Sequence, residues 1–142
     1  MNSQNFKNHA RFSPVYHFFA IPLSLIVLIG TIVNVVKSSE ENFYSATLLV
    51  MVVLLLILAI LFARTFALKA QDRAIRAEEN LRHFVLSGKP LDSNLTTRQI
   101  IGLRFASDEE FPDLAKKAVA DKLSEKEIKE LVKNWRGDYY RI

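Results

Sequence analysis

Two apolar runs set the pattern of the chain. The first extends from Phe12 to Val36 and holds no Lys, Arg, Asp or Glu. The second begins at Ser45 as SATLLVMVVLLLILAILFA. It passes, with no Gly or Pro to interrupt it, into the charged stretch RTFALKAQDRAIRAEENLRHFVL, which ends at Leu86. The first run is about 25 residues long, the length of one transmembrane helix. The second run and its charged continuation read as a single helix of about 40 residues, roughly 60 Å at 1.5 Å per residue. Its first half is long enough to cross a bilayer, and its second half would stand in water.

Local signals punctuate this pattern. Ser13 is expected to cap the first helix, with Pro14 at its first position. Pro22 removes a backbone hydrogen bond to the Phe18 carbonyl, so a kink is expected in the first turns. Lys37 to Tyr44, KSSEENFY, is the polar break between the runs. A break this short makes the two helices antiparallel neighbours. Ser38-x-x-Glu41 has the spacing of a capping box, so the second helix is expected to start before Ser45. Gly88 and Pro90 close it. The tail then reads as three short helices. They run from about Thr97 to Ala106, from Ser107-x-x-Glu110 to about Lys122, and from Ser124-x-x-Glu127 to near Arg136-Gly137. Within the last, Ile128, Leu131, Val132 and Trp135 would form the buried stripe.

The expected fold class is an all-α membrane protein: a transmembrane helical hairpin, its second helix extended into the cytoplasm, then a small bundle of short helices. The divisions are 1–13 (cytoplasmic N-terminal segment), 14–36 (first span), 37–44 (external loop), 45–86 (second span and cytoplasmic helix) and 87–142 (cytoplasmic helical module). Lys and Arg near the spans set the orientation. Lys7 and Arg11 precede the first span; Arg64, Lys69, Arg73 and Arg76 follow the second; the loop has Lys37 beside Glu40 and Glu41. Both termini are therefore expected in the cytoplasm, at a bacterial inner membrane. The first run exceeds a typical signal-peptide core, and no A-x-A cleavage site follows it, so it reads as a span.

Composition adds limits. The chain carries 19 basic and 15 acidic residues, a formal charge of +4, and no Cys. There is no thiolate metal site and no Cys nucleophile. His9, His17 and His83 lie in unrelated segments, and there is no H-E-x-x-H, G-x-S-x-G or P-loop. Glu79 and His83 are one helical turn apart and suit a side-chain pair. No catalytic residue, metal, cofactor or small-molecule substrate is indicated. Asp108, Glu109, Glu110 and Asp113 gather at a helix start, where the dipole favours acids. Lys122, Lys126, Lys129 and Lys133 invite a nucleic-acid reading, but residues 105–142 carry nine acids against eight bases. That mixture describes a solvated face. The polar residues within the spans, Ser24, Thr31, Asn34 and Thr47, are too few to line an ion pathway.

One constellation points to association. Ala59, Ala63, Ala67, Ala70, Ala74, Ala77 and Leu81 fall within about 60° of one line along the long helix. From Ala67 to Leu81 and Phe84 the spacing is 3-4-3-4, that of an a/d seam. Small residues let helix backbones approach closely in a membrane. The seam is either a docking surface for another helix, from a second copy or another subunit, or a face covered by the first span or the tail. Beside it, Arg64, Lys69, Arg73, Arg76 and Arg82 form a basic collar that would meet anionic lipid or fix topology, with Asp72 and Arg76 as an i,i+4 pair.

The stretches KAQDRAIRAEENLRHFVL, LTTRQIIGLRFASDEEFPDLAKKA and IKELVKNWRGDYYRI, with the N-terminal KNHARFSPVYH, resemble a family of small membrane proteins from Bacteroidota known as a domain of unknown function. QDRAIRAEE and LRFASDEEF are the most specific of these strings. The resemblance implies an inner-membrane hairpin with a cytoplasmic helical tail and no assigned activity. The leading expectation is a non-enzymatic membrane-anchored subunit or adaptor that docks a partner protein or a second copy. The alternatives are an accessory subunit of a transporter or channel, and a membrane-tethered nucleic-acid-binding module.

Overall fold

Pro22 shapes the start of the first helix. A proline has no N–H for the carbonyl four residues back, and its ring presses on that carbonyl. In the computed structural model, which describes residues 4–9 and 12–139, the preceding turn widens into a π-helix over Val15–Ala20. The N–H of Ile21 reaches Tyr16 O, five residues back. The expected irregularity is therefore a π-turn, followed by α1, Ile21–Lys37. The expected Ser13 side-chain cap is replaced by the His17 ring. Its Nδ1 lies 2.9 Å from Ser13 O and 3.1 Å from Ser13 N, so either tautomer ties down the entry to the helix.

Only Ser38 and Ser39 separate α1 from α2, which runs over Glu40–Ser87. The break is thus shorter than the expected 37–44, and α2 starts before Ser45 as expected. Ser38 is not a cap for α2. Its hydroxyl donates back to Val35 O at 2.9 Å and closes α1 instead. Gly88 takes a left-handed backbone, φ 73°, just past the end of α2, and its N–H bonds to Phe84 O at 2.8 Å. The tail contributes α3 (Thr97–Leu103), α4 (Phe111–Ala120) and α5 (Glu125–Leu131). The described residues hold no strand, only one isolated antiparallel bridge between Ala106 and Trp135.

The chain divides into two compact units, Arg11–Ala67 and Met1–Ala10 with Leu68–Ile142. Arg11, counted above in the N-terminal basic flank, lies outside the described residues. The first of these units contains α1 and the apolar part of α2. The two run antiparallel, and the Arg64 guanidinium lies 5.6 Å from the centre of the Tyr16 ring. Two helices are long and apolar enough to cross a membrane, Val15–Lys37 and Glu40–Ser87. Within the apolar part only Ala46 and Val53 are buried among the described residues, while Val36 is 80% and Leu55 63% exposed. The hydroxyls turn inward. Ser24 donates to Ile21 O, Thr31 to Leu28 O, Thr47 to Tyr44 O and Thr65 to Leu61 O, at 2.7–2.9 Å. Each helix thus satisfies these polar groups itself, as an apolar solvent requires.

The other unit has a core of its own. Ile75 of α2 belongs to one buried cluster with Leu95, Ile100, Leu103, Phe111, Ala118 and Ile128. Two capping boxes fix the starts of α3 and α5. Thr96 and Gln99 exchange side-chain and backbone bonds, and Ser124 and Glu127 do the same. Gln99 does more, because its Nε2 donates to Ala118 O at 3.0 Å and Leu123 O at 2.9 Å. That ties the start of α3 to the end of α4 and leaves the buried amide satisfied. Gly102 lets α3 and α5 meet. A Cβ there would lie 3.1 Å from Glu125 O and 3.2 Å from Ile128 Cγ2.

Two expectations for the tail need correction. Ser107 forms half of its expected box: its N–H donates to Glu110 Oε1 at 3.3 Å, while α4 starts without a side-chain cap bond. Glu110 is committed elsewhere as well, accepting the N–H groups of Lys133 and Asn134 at 3.1 Å each. Those bonds draw the chain out of the helix, so α5 ends at Leu131 rather than near Arg136. Val132 is extended, and Arg136 N bonds to Phe105 O at 2.7 Å. In the expected stripe Ile128 is buried, Val132 and Trp135 are half-buried and Leu131 is exposed.

Candidate functional site

The part of α2 beyond Leu68 has two faces of opposite character. One is covered by the tail and presents Ile75, Glu79, Arg82 and His83. The Arg82 guanidinium is the centre of this contact. It donates to Glu79 Oε2 at 2.9 Å, to Asp108 Oδ1 at 2.7 Å and to the Ala106 carbonyl at 2.7 Å. Its Cζ lies 4.5 Å from the centre of the Phe111 ring. The other Glu79 oxygen faces Arg136 Nη1 at 3.5 Å. Burial raises the Glu79 carboxyl above its ordinary value, and the Arg82 and Arg136 charges oppose that rise. Arg82 therefore organises the module and does not belong to a membrane-facing collar.

Among the described residues no Glu79–His83 pair is formed. His83 Nδ1 lies 2.8 Å from Lys89 O, to which it donates, and the ring meets Phe111 edge-on. The histidine thus secures the turn after α2. The acidic residues at the start of α4 are also structural: Asp108 holds Arg82, Glu110 holds three backbone N–H groups, and Asp113 pairs with exposed Lys116 at 3.1 Å. Among the described residues no group of three or more His, Asp or Glu could hold a metal ion.

The opposite face of α2 carries the alanine seam. Ala70, Ala74, Ala77, Leu81 and Phe84 are all exposed. Leu81 is 64% and Phe84 53% exposed, and neighbouring Val85 is 74% exposed. Toward the apolar part Ala67 is half-buried, and Ala59 and Ala63 are exposed. The tail lies mainly on the other side of α2, against Ile75, Glu79 and His83, which are buried. Helical spacing explains why. Ile75, Glu79 and His83 recur every fourth residue and lie roughly 100–180° around the helix from Ala74. A small module seated there leaves Ala70, Ala74 and Leu81 exposed, while its first loop reaches the flank of that side, where Leu91 N–H donates to Asn80 Oδ1 at 2.9 Å.

The collar separates into parts. Arg64 is half-buried, while Lys69, Arg73 and Arg76 are exposed. Among the described residues the expected Asp72–Arg76 ion pair is not formed. In the tail, Lys129 pairs with Glu125 at 2.6 Å and Lys126 with Glu130 at 3.8 Å. The lysines of α5 are thus matched by neighbouring acids.

Residues 4–9 were not expected to be part of the tail, yet they pack on it. Gln4 and Asp138 exchange hydrogen bonds, Gln4 Nε2 to Asp138 O at 3.3 Å and Asp138 N to Gln4 Oε1 at 2.7 Å. The His9 ring sits among Phe6, Phe105 and Trp135, and its Nε2 lies 3.3 Å from Lys129 Nζ. Phe6 and His9 were the only sequence hints, two rings in a polar segment.

These features define a class: an all-helical protein with two long apolar helices, the second continuing into a small helical module with one bare face. The chain belongs to a family of unknown function, DUF6526, which matches residues 1–142. No curated protein and no solved structure matches it.

Proposed function

We propose that this protein is a non-enzymatic, membrane-anchored subunit or adaptor. Its two apolar helices cross the bacterial inner membrane as a hairpin. Both termini lie in the cytoplasm, and the extended second helix offers its bare face to another helix. The observation that carries this reading is the exposure of Ala70, Ala74, Ala77, Leu81 and Phe84 along one side of a helix whose other side is filled by the tail. A helix that needed only to hold the tail would favour polar residues there.

The membrane part is supported by the uncovered apolar side chains of both long helices and by their internally bonded hydroxyls. The orientation is supported by the Lys and Arg that flank the spans. A hairpin whose two ends share one side is also supported by the contacts of Gln4 and His9 with the tail. An accessory role beside a transporter or channel is a narrower form of the same reading.

The test is Ala70→Trp and Ala74→Trp in the full chain, purified in mild detergent. Insertion is expected to persist while the mass of the native assembly falls. An assembly unchanged by both substitutions refutes docking through this face.

A further inference from the structure

Resting on the docking reading above, we infer that the occupant of the bare face is a second copy of this chain, packed parallel and in register. The membrane fixes the direction. Two hairpins inserted the same way present their second helices side by side with the same polarity, and a two-fold axis then places each residue opposite its own counterpart.

The seam from Ala67 to Phe84 has Ala67, Ala74 and Leu81 at a positions and Ala70, Ala77 and Phe84 at d positions. Its length is about 26 Å at 1.5 Å per residue. The alanines let the helices approach closely, and Leu81, Phe84 and Val85 supply large apolar side chains at the far end. In such a pair the g residue of one helix meets the e residue five positions on in its twin. The three pairs are Phe66 with Gln71, Arg73 with Glu78, and Asn80 with Val85. None opposes like charges, and the central one is ionic. Arg73 and Glu78 are both exposed, and neither forms an ion pair within the chain among the described residues. Two-fold symmetry gives the Arg73–Glu78 pair twice. This face therefore complements itself in charge.

The chain has no Cys, so single cysteines report the register in membranes of cells making the full chain. Ala74→Cys and Ala77→Cys are expected to give disulfide-linked dimers on mild oxidation, because a two-fold seam brings like positions within bridging distance. Arg76→Cys, turned away from the seam, is expected to stay monomeric. Arg73→Glu and Glu78→Arg are each expected to weaken dimerisation of labelled chains in vesicles about tenfold, since each turns two attractions into repulsions. The double exchange is expected to restore wild-type affinity within about twofold.

Absence of the Ala74 and Ala77 dimers, equal linking through Arg76→Cys, or a double exchange weaker than either single change overturns the proposal. Loss of native mass in Ala74→Trp without those disulfides means a different protein occupies the face. That result would overturn the second copy and leave docking intact. No change of mass would remove docking itself.

Discussion

Replacing Arg82 with Met should unfold the tail module far more readily than replacing Glu79 with Gln, although the two residues are salt-bridge partners. Arg82 and Glu79 are 11% and 8% exposed at their side chains. Arg82→Met keeps the apolar stem against Phe111 but deletes the bonds to Glu79, Asp108 and Ala106 O. Glu79 is then left buried with one opposite charge, the half-exposed Arg136 at 3.5 Å. Stranding a buried charge in this way costs about 3–5 kcal/mol. Glu79→Gln instead removes the charge that burial disfavours, and the amide oxygen still accepts from Arg82. Arg82 also keeps Asp108 and Ala106 O. The expected cost is under about 1 kcal/mol.

The readout is thermal unfolding of the full chain in detergent, followed through Trp135, the one Trp, which stacks on Phe105 at 4.6 Å. pH provides a second handle. Glu79 has a raised pKa, so between its ordinary value of 4.5 and the raised one the folded module holds the proton more tightly than the unfolded chain does. The stability contribution of this group therefore falls as pH rises through that window. Glu79→Gln should remove that slope. Equal destabilisation by the two substitutions, or a slope retained in Glu79→Gln, would refute this account of the contact.

Other substitutions probe the remaining joints. Gly102→Ala should cost about 1–3 kcal/mol in the same unfolding measurement, because the new methyl must push α5 from α3. Glu110→Ala should expose the Lys133 and Asn134 amides, raising their hydrogen-exchange rates while the α3 amides stay protected; unchanged exchange would show that the bonds do not hold the C-terminal segment. His9→Ala should loosen residues 4–9 and shift Trp135 emission to the red, with the helical content of the protein unchanged.

What the sequence made legible was local. The boxes at Thr96 and Ser124 and the stop at Gly88 each depend on residues within four positions of one another, the two apolar runs on an unbroken stretch of chain, and each is found where its pattern lies. Ser38 had the same box pattern but turned back to Val35, because a serine between two helices can finish one as easily as start the next. Arg82 looked like one more basic residue after a span. Its role depends on Asp108, Ala106 and Phe111, which only the folded tail brings to it. The return of Gln4 to Asp138 joins residues at opposite ends of the chain, and no periodicity could reveal it.

The two faces of α2 follow from these same long-range contacts. QDRAIRAEE places Ile75 and Glu79 on one side and Ala74 and Ala77 on the other. Both sides carry residues a partner could cover, so the sequence alone could not tell which the tail would take. The Arg82–Glu79 pair decides it, since those two charges are buried and find Asp108, the Ala106 carbonyl and Arg136 only in the folded tail. Once the tail is committed to that side, Leu81, Phe84 and Val85 remain in water with Arg73 and Glu78 on their flanks. It is on this exposed apolar surface that we propose another helix docks. The charges beside it, one of each sign at the spacing of a parallel pair, are those that a second copy of the same helix would match.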